Sequence, residues 1–113
     1  MFRIGGKQEQ LVMTRTGVTA ESLLRVLQLF RDHSPDNQIR SGARFMILLI
    51  SQTLRSSIRN VGLTKVTVSF KWLRELSTRV SSMAVHKNLP AAWFVVALVN
   101  EIVPQEKDEE LTQ

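Results

Sequence analysis

Cysteine is absent from the 113 residues, which excludes disulfides, thiolate nucleophiles and cysteine-based zinc sites and leaves a reducing compartment compatible with the chain. Histidine is nearly absent too. His33 and His86 stand too far apart in sequence to suggest a metal site, so neither metal nor cofactor is expected. The longest apolar run, Ala91 to Val99, has nine residues before Asn100 and Glu101 interrupt it. A membrane-spanning helix needs about twenty, so a soluble protein is expected. The opening Met1-Phe2-Arg3-Ile4-Gly5-Gly6-Lys7 turns polar before an apolar stretch of leader length develops, and no secretory signal is read there. Gly5-Gly6 lacks the strand, the spaced glycines and the helix that make a phosphate loop. Asp32, His33, Ser34 and Asp36 are hydrolase-like types, but they cluster where Ser and Asp act as turn and capping residues. Catalysis is therefore not expected.

Negative charge is missing from the middle of the chain. Between Asp36 and Glu75 stand Arg40, Arg44, Arg55, Arg59, Lys65, Lys71 and Arg74 with no acid among them. Residues 1–100 carry 14 Lys and Arg against 5 Asp and Glu, a balance of +9, while residues 101–113 carry −4. The overall +5 thus understates the body of the chain. Such a field favours a polyanionic partner, a nucleic acid before an anionic membrane surface.

At this length, with 43% hydrophobic residues, one domain with one core is expected. Residues 1–18 read as an N-terminal arm with two β-leaning pieces, 19–104 as a single helical domain, and 105–113 as an acidic, disordered tail. Thr19 before Ala20-Glu21-Ser22 predicts a capped helix start, Leu23, Val26, Leu27 and Phe30 supply its apolar face, and Ser34-Pro35 stops it. A second helix is predicted from about Gln38 to Asn60, ending at Gly62. Leu63 to Phe70 fits two periods. Val66, Val68 and Phe70 alternate with Lys65, Thr67 and Ser69 as in a strand, yet Val66, Phe70, Leu73, Leu76 and Val80 also form one helical face. A last apolar segment follows Pro90 and runs to Val103, readable as helix or buried strand. The fold class expected is mainly α, with a helix-turn-helix-like unit and at most one short strand or hairpin. At an offset of 49, Leu24-Arg25-Val26-Leu27 aligns with Leu73-Arg74-Glu75-Leu76, compatible with a duplicated helix pair or with chance.

Leu54 to Leu76, with its Gly62-Leu63-Thr64 turn, its Val68-Ser69 pair and its Leu73-x-x-Leu76 ending, resembles the helix-turn-helix of bacterial and phage regulators. With the upstream segments Leu23–Asn37 and Ile39–Ser51, about half the chain resembles winged-helix regulators similar to the MarR family. That resemblance implies a reading helix from about Lys65, a wing hairpin within Arg79–Val99, and a homodimer. A second resemblance starts from the strand reading. Lys65 to Phe70, a helix near Trp72–Ala84, a turn at Val85–Asn88 and a helix from Pro90 to Val103 are similar to a ribbon-helix-helix domain, in which strands from two chains pair and enter the major groove. It implies Lys65, Thr67 and Ser69 facing DNA, with Val66, Val68 and Phe70 in the dimer core.

Both routes predict a small dimeric DNA-binding regulator or accessory factor, cytoplasmic or associated with nucleoid or host nucleus. The candidate nucleic-acid contacts are Arg40, Arg44, Arg55, Arg59, Lys65, Thr67, Ser69, Lys71 and Arg74. The competing expectation is an oligomeric structural or interaction protein, such as a viral or phage component that holds RNA, or a helical adaptor. On that view the arginines are a solvated face whose stems cover apolar surface. Trp72 and Trp93 are expected as core or interface anchors rather than base-stacking platforms.

Overall fold

The computed structural model describes residues 11–87 and 92–104. The N-terminal ten residues, the acidic tail and the Pro90 helix start lie outside them. Its elements are β1 (Gly17–Thr19), α1 (Ala20–His33), α2 (Asn37–Val61), β2 (Thr67–Ser69), α3 (Phe70–Lys87) and α4 (Ala92–Ile102), with a 3₁₀ turn at Leu63–Lys65 between α2 and β2. The chain is mainly helical around one short antiparallel sheet, β1 against β2.

The helix boundaries follow local chemistry. The Thr19 hydroxyl accepts from the Ser22 amide at 3.2 Å and caps α1, with Glu21 at the positive end of the helix dipole. Ser34 ends α1, where Pro35 cannot continue the ladder. The Asp36 carboxylate then accepts from the Gln38 and Ile39 amides and starts α2. Gly62, at φ 85°, ends it in a conformation other residues adopt only under strain.

Residues 67–69 are strand, not the start of a reading helix near Lys65, and the helix begins at Phe70. The physical reason lies in the alternation. Val66 and Val68 turn inward and are buried, Thr67 and Ser69 turn outward and are exposed, and β1 supplies the hydrogen-bonding partner that a lone strand lacks. Ser69 then caps α3 by accepting from the Trp72 amide at 3.1 Å. The span expected to hold a wing is helical wherever it is described, in α3 and α4. The expected arm boundary at residue 18 falls inside β1, whose Val18 is fully buried.

Strand register exposes an internal symmetry. Gly17 pairs with Ser69, Val18 with Val68 and Thr19 with Thr67. Beyond the strands, the Ala20 amide donates to the Val66 carbonyl at 2.9 Å and the Phe70 amide to the Thr16 carbonyl at 2.8 Å. Each relation maps onto its counterpart when 50 is added to or subtracted from the residue numbers, so an approximate two-fold axis passes through the Val18–Val68 pair. The chain is two βαα halves joined head to tail. In the first helices Leu23 matches Leu73 and Val26 matches Leu76, all buried. In the second helices the buried Ala43, Met46 and Ile50 match Val95, Leu98 and Ile102, an offset of 52. The alignment at 49 is thus out of register, by one residue in the first helices and by three in the second.

The two halves share one core. Val18, Leu23, Leu27, Met46, Ile50, Leu73, Phe94 and Leu98 are essentially inaccessible and belong to a single cluster. Each such side chain contributes about 1.5–3 kcal/mol relative to exposure. At the seam α2 packs on α4 through an unequal pair: a Cβ added to Gly42 would lie 2.5 Å from Cβ, Cγ and Cδ2 of Phe94. The Phe94 ring also meets Phe30 of α1 edge-on, with centroids 6.2 Å apart.

Candidate nucleic-acid interface

The ribbon has an apolar inner face and a hydroxyl-bearing outer face because each strand alternates. Val18 and Val68 point into the core. Of the outer positions, Thr67 and Ser69 are exposed, Thr19 is half-buried and Gly17 is buried. The Thr67 hydroxyl has no protein partner among the described residues. The Ser69 oxygen accepts the Trp72 amide, which leaves its proton free to donate outward. Thr19 is fully engaged, since its oxygen accepts from the Ser22 amide while its proton goes to Ser22 Oγ at 2.8 Å.

Positive charge brackets this surface. Lys65 precedes β2 and Lys71 lies in the first turn of α3; both are exposed and form no ion pair among the described residues. Arg74, one turn further along α3, is also exposed. It lines a shallow recess with Trp72, Glu75, Thr78 and Arg79. Trp72 is half-buried against the core, as an anchor would be, while the Trp93 side chain lies outside the described residues. Arg15, exposed at the turn before β1, is the match of Lys65 at the opposite end of the ribbon. Sequence reasoning missed Arg15 because it followed the acid-free stretch, which begins after Asp36. The signal was the shared pattern of a valine and a hydroxyl residue ahead of a helix, Val18-Thr19 and Val68-Ser69, visible only at an offset of 50.

Five of the nine predicted contacts therefore gather on the ribbon and the start of α3: Lys65, Thr67, Ser69, Lys71 and Arg74. Arg40 does not join them. It sits at the start of α2, where it donates to the Ser34 carbonyl at 2.7 Å and to Asn37 Oδ1 and so pins the turn. The 14 residues of α1 place that turn about 20 Å along the helix from β1. Arg44 is exposed on α2 near Asp32. The Asp32 carboxyl is held below its ordinary range by the hydrogen bond from Arg31, with smaller attractions from Arg31, His33 and Arg44. Arg55 and Arg59 are exposed on the C-terminal half of α2, past Ile50, where no residue is fully buried and the chain leads back through Leu63–Lys65 to β2. Arg59 also complements the negative end of its own helix.

Among the described residues no group of His, Asp or Glu gathers to hold a metal ion, and no helix is long and apolar enough to cross a membrane. No family model, curated protein or solved structure matches this chain.

Proposed function

We propose that this chain binds duplex DNA by laying the β1–β2 ribbon in the major groove, in the manner of ribbon-helix-helix proteins, and serves as a small DNA-binding regulator or accessory factor. One observation carries the reading: a two-stranded antiparallel ribbon turns valines inward and presents Thr67 and Ser69 outward between Arg15, Lys65 and Lys71. A major groove about 12 Å wide admits such a ribbon. Hydroxyls suit base edges, and the flanking cations suit phosphates on either side. The winged-helix analogy is less well supported, because the segment it would use as a reading helix contains β2.

Fluorescence anisotropy with mixed-sequence duplex DNA tests this. If Arg15, Lys65, Lys71 and Arg74 neutralise about four phosphates, affinity should fall roughly 100-fold between 50 and 200 mM salt. No duplex binding at 50 mM salt would contradict it. The exposed Arg44, Arg55 and Arg59 along α2 favour a second reading, a structural or interaction protein whose basic face holds RNA. That reading expects single-stranded RNA to outcompete duplex DNA in the same assay.

A further inference from the structure

We propose that a single copy of this chain occupies each DNA site and that the preferred site is not an inverted repeat. This rests on the duplex-docking reading above and adds stoichiometry and the symmetry of the target.

The ribbon is complete within one chain. β2 occupies one edge of β1, and residues 12–14 cover the other: the Thr19 amide donates to the Val12 carbonyl at 3.0 Å and the Thr14 amide to the Gly17 carbonyl at 2.7 Å. The Val12 amide donates to Ser22 Oγ at 3.1 Å and ties this strap to the start of α1. β1 therefore offers no edge to a second molecule, and the outer side of β2 offers only the three residues Thr67–Ser69.

The seam between the halves fits in one arrangement only. Gly42 and Phe94 occupy matched positions on α2 and α4, and each fills what the other lacks. Two copies of the second half placed about the same axis would set Phe94 against Phe94. Two copies of the first would leave a void where that ring belongs. Unequal partners across the axis specify joining of unlike halves and disfavour exchange into a symmetric dimer.

The unlikeness extends to the face turned to DNA. At matched positions Gly17 stands for Thr67 and Glu21 for Lys71, the buried Leu24 puts no exposed side chain opposite Arg74, and only Arg15 and Lys65 agree in charge. Glu21 and Arg25 neutralise each other at 2.9 Å, whereas Lys71 has no ion pair among the described residues. Gly17 carries no side chain, and Thr19 is consumed by its cap. Base contacts thus fall to Thr67 and Ser69, both on β2 and at opposite ends of the ribbon, without equivalents from Gly17 and Thr19, while the β1 strand contributes the Arg15 cation. A reader whose halves differ gains nothing from two equal half-sites.

Selection from a randomised duplex pool, followed by native mass spectrometry of the enriched complex, tests this. The expected result is one 12.9 kDa chain per duplex and an enriched motif without inverted symmetry. Thr67→Val should flatten base preference on one side of that motif only. Two chains on an enriched inverted repeat would overturn the inference while upholding duplex docking. Failure of any duplex to be retained at low salt would overturn both.

Discussion

Replacing Gly42 by alanine is the sharpest probe of how the halves are joined, because two effects of opposite sign compete there. In an ordinary helix interior Gly→Ala stabilises by about 1 kcal/mol through backbone entropy and helix propensity. At this position the new methyl would lie 2.5 Å from three carbons of Phe94, one of them the Cβ fixed to the α4 backbone. Relief requires moving α2 away from α4 through a core whose neighbours, Ala43, Met46, Val95 and Leu98, are fully buried. Overpacking of that kind costs about 1–3 kcal/mol, and with three contacts this short the upper part of that range applies. The net expectation for Gly42→Ala is destabilisation by about 1–2 kcal/mol, or a fall in Tm of roughly 4–10 °C for a domain of this size. Phe94→Ala alone should cost about 3–5 kcal/mol. In that background two of the three obstructing atoms are gone and α4 has room to settle, so the Gly42→Ala penalty should shrink by at least about 1 kcal/mol, a coupling typical of residues in contact. Urea titrations followed by circular dichroism measure all four corners of the cycle. Stabilisation by Gly42→Ala, or additivity of the two changes, would refute the packing of α2 on α4 at this point.

Three further expectations follow from the same geometry. Thr19→Cys with Thr67→Cys places two thiols at a non-hydrogen-bonded pair of the ribbon, where Cα separation suits a disulfide, in a chain with no other cysteine; oxidation should give a cross-linked monomer on non-reducing gels, and a covalent dimer alone would contradict an intrachain ribbon. Lys71→Glu with Arg74→Glu should reduce duplex affinity at least 10-fold in anisotropy with an unchanged circular dichroism spectrum, whereas Arg25→Glu, on α1, should change it less than 3-fold; equal losses would indicate a diffuse field rather than a docking surface. Because the folded-state pKa of Asp32 is depressed, its pairing with Arg31 contributes stability above the unfolded-state pKa and loses it as pH falls through the folded value; Arg31→Gln should move the Asp32 carboxyl titration, followed by NMR, upward toward the ordinary range, and an unmoved midpoint would show that Arg31 is not the cause.

The parts of the fold legible in the sequence were those set by local chemistry. Thr19 capping α1, Ser34-Pro35 ending it and Gly62 ending α2 each act through neighbours within four residues, and each was placed to within a residue or two. Leu63 to Phe70 is undecided by sequence, because its apolar residues satisfy periods of two and of 3.6 alike. Only the presence of β1 some 50 residues earlier selects the strand, and a three-residue strand gives almost no signal of its own. The same long-range pairing explains why the sequence alone places Val18 in an arm although it is central to the core. Charge singles out Lys65, Lys71 and Arg74 together with Arg40, whose guanidinium is occupied by the α1–α2 turn, and with Arg44, Arg55 and Arg59 along α2, and does not rank them. Exposure and position along a helix are properties of the fold. The expectation of two paired chains rests on the winged-helix and ribbon-helix-helix resemblances, and the register that places a second βαα unit in the same chain shows at an offset of 50 rather than 49.

Amide chemical-shift mapping with ¹⁵N-labelled protein, titrated with a short duplex at 50 mM salt, tests the docking surface most directly. The account predicts perturbations concentrated at residues 15–19, 65–69 and the first turns of α3 through Arg74, with the α1–α2 turn around Ser34 to Arg40 unaffected. Shifts confined to the exposed arginines of α2, or spread evenly over the surface, would contradict it.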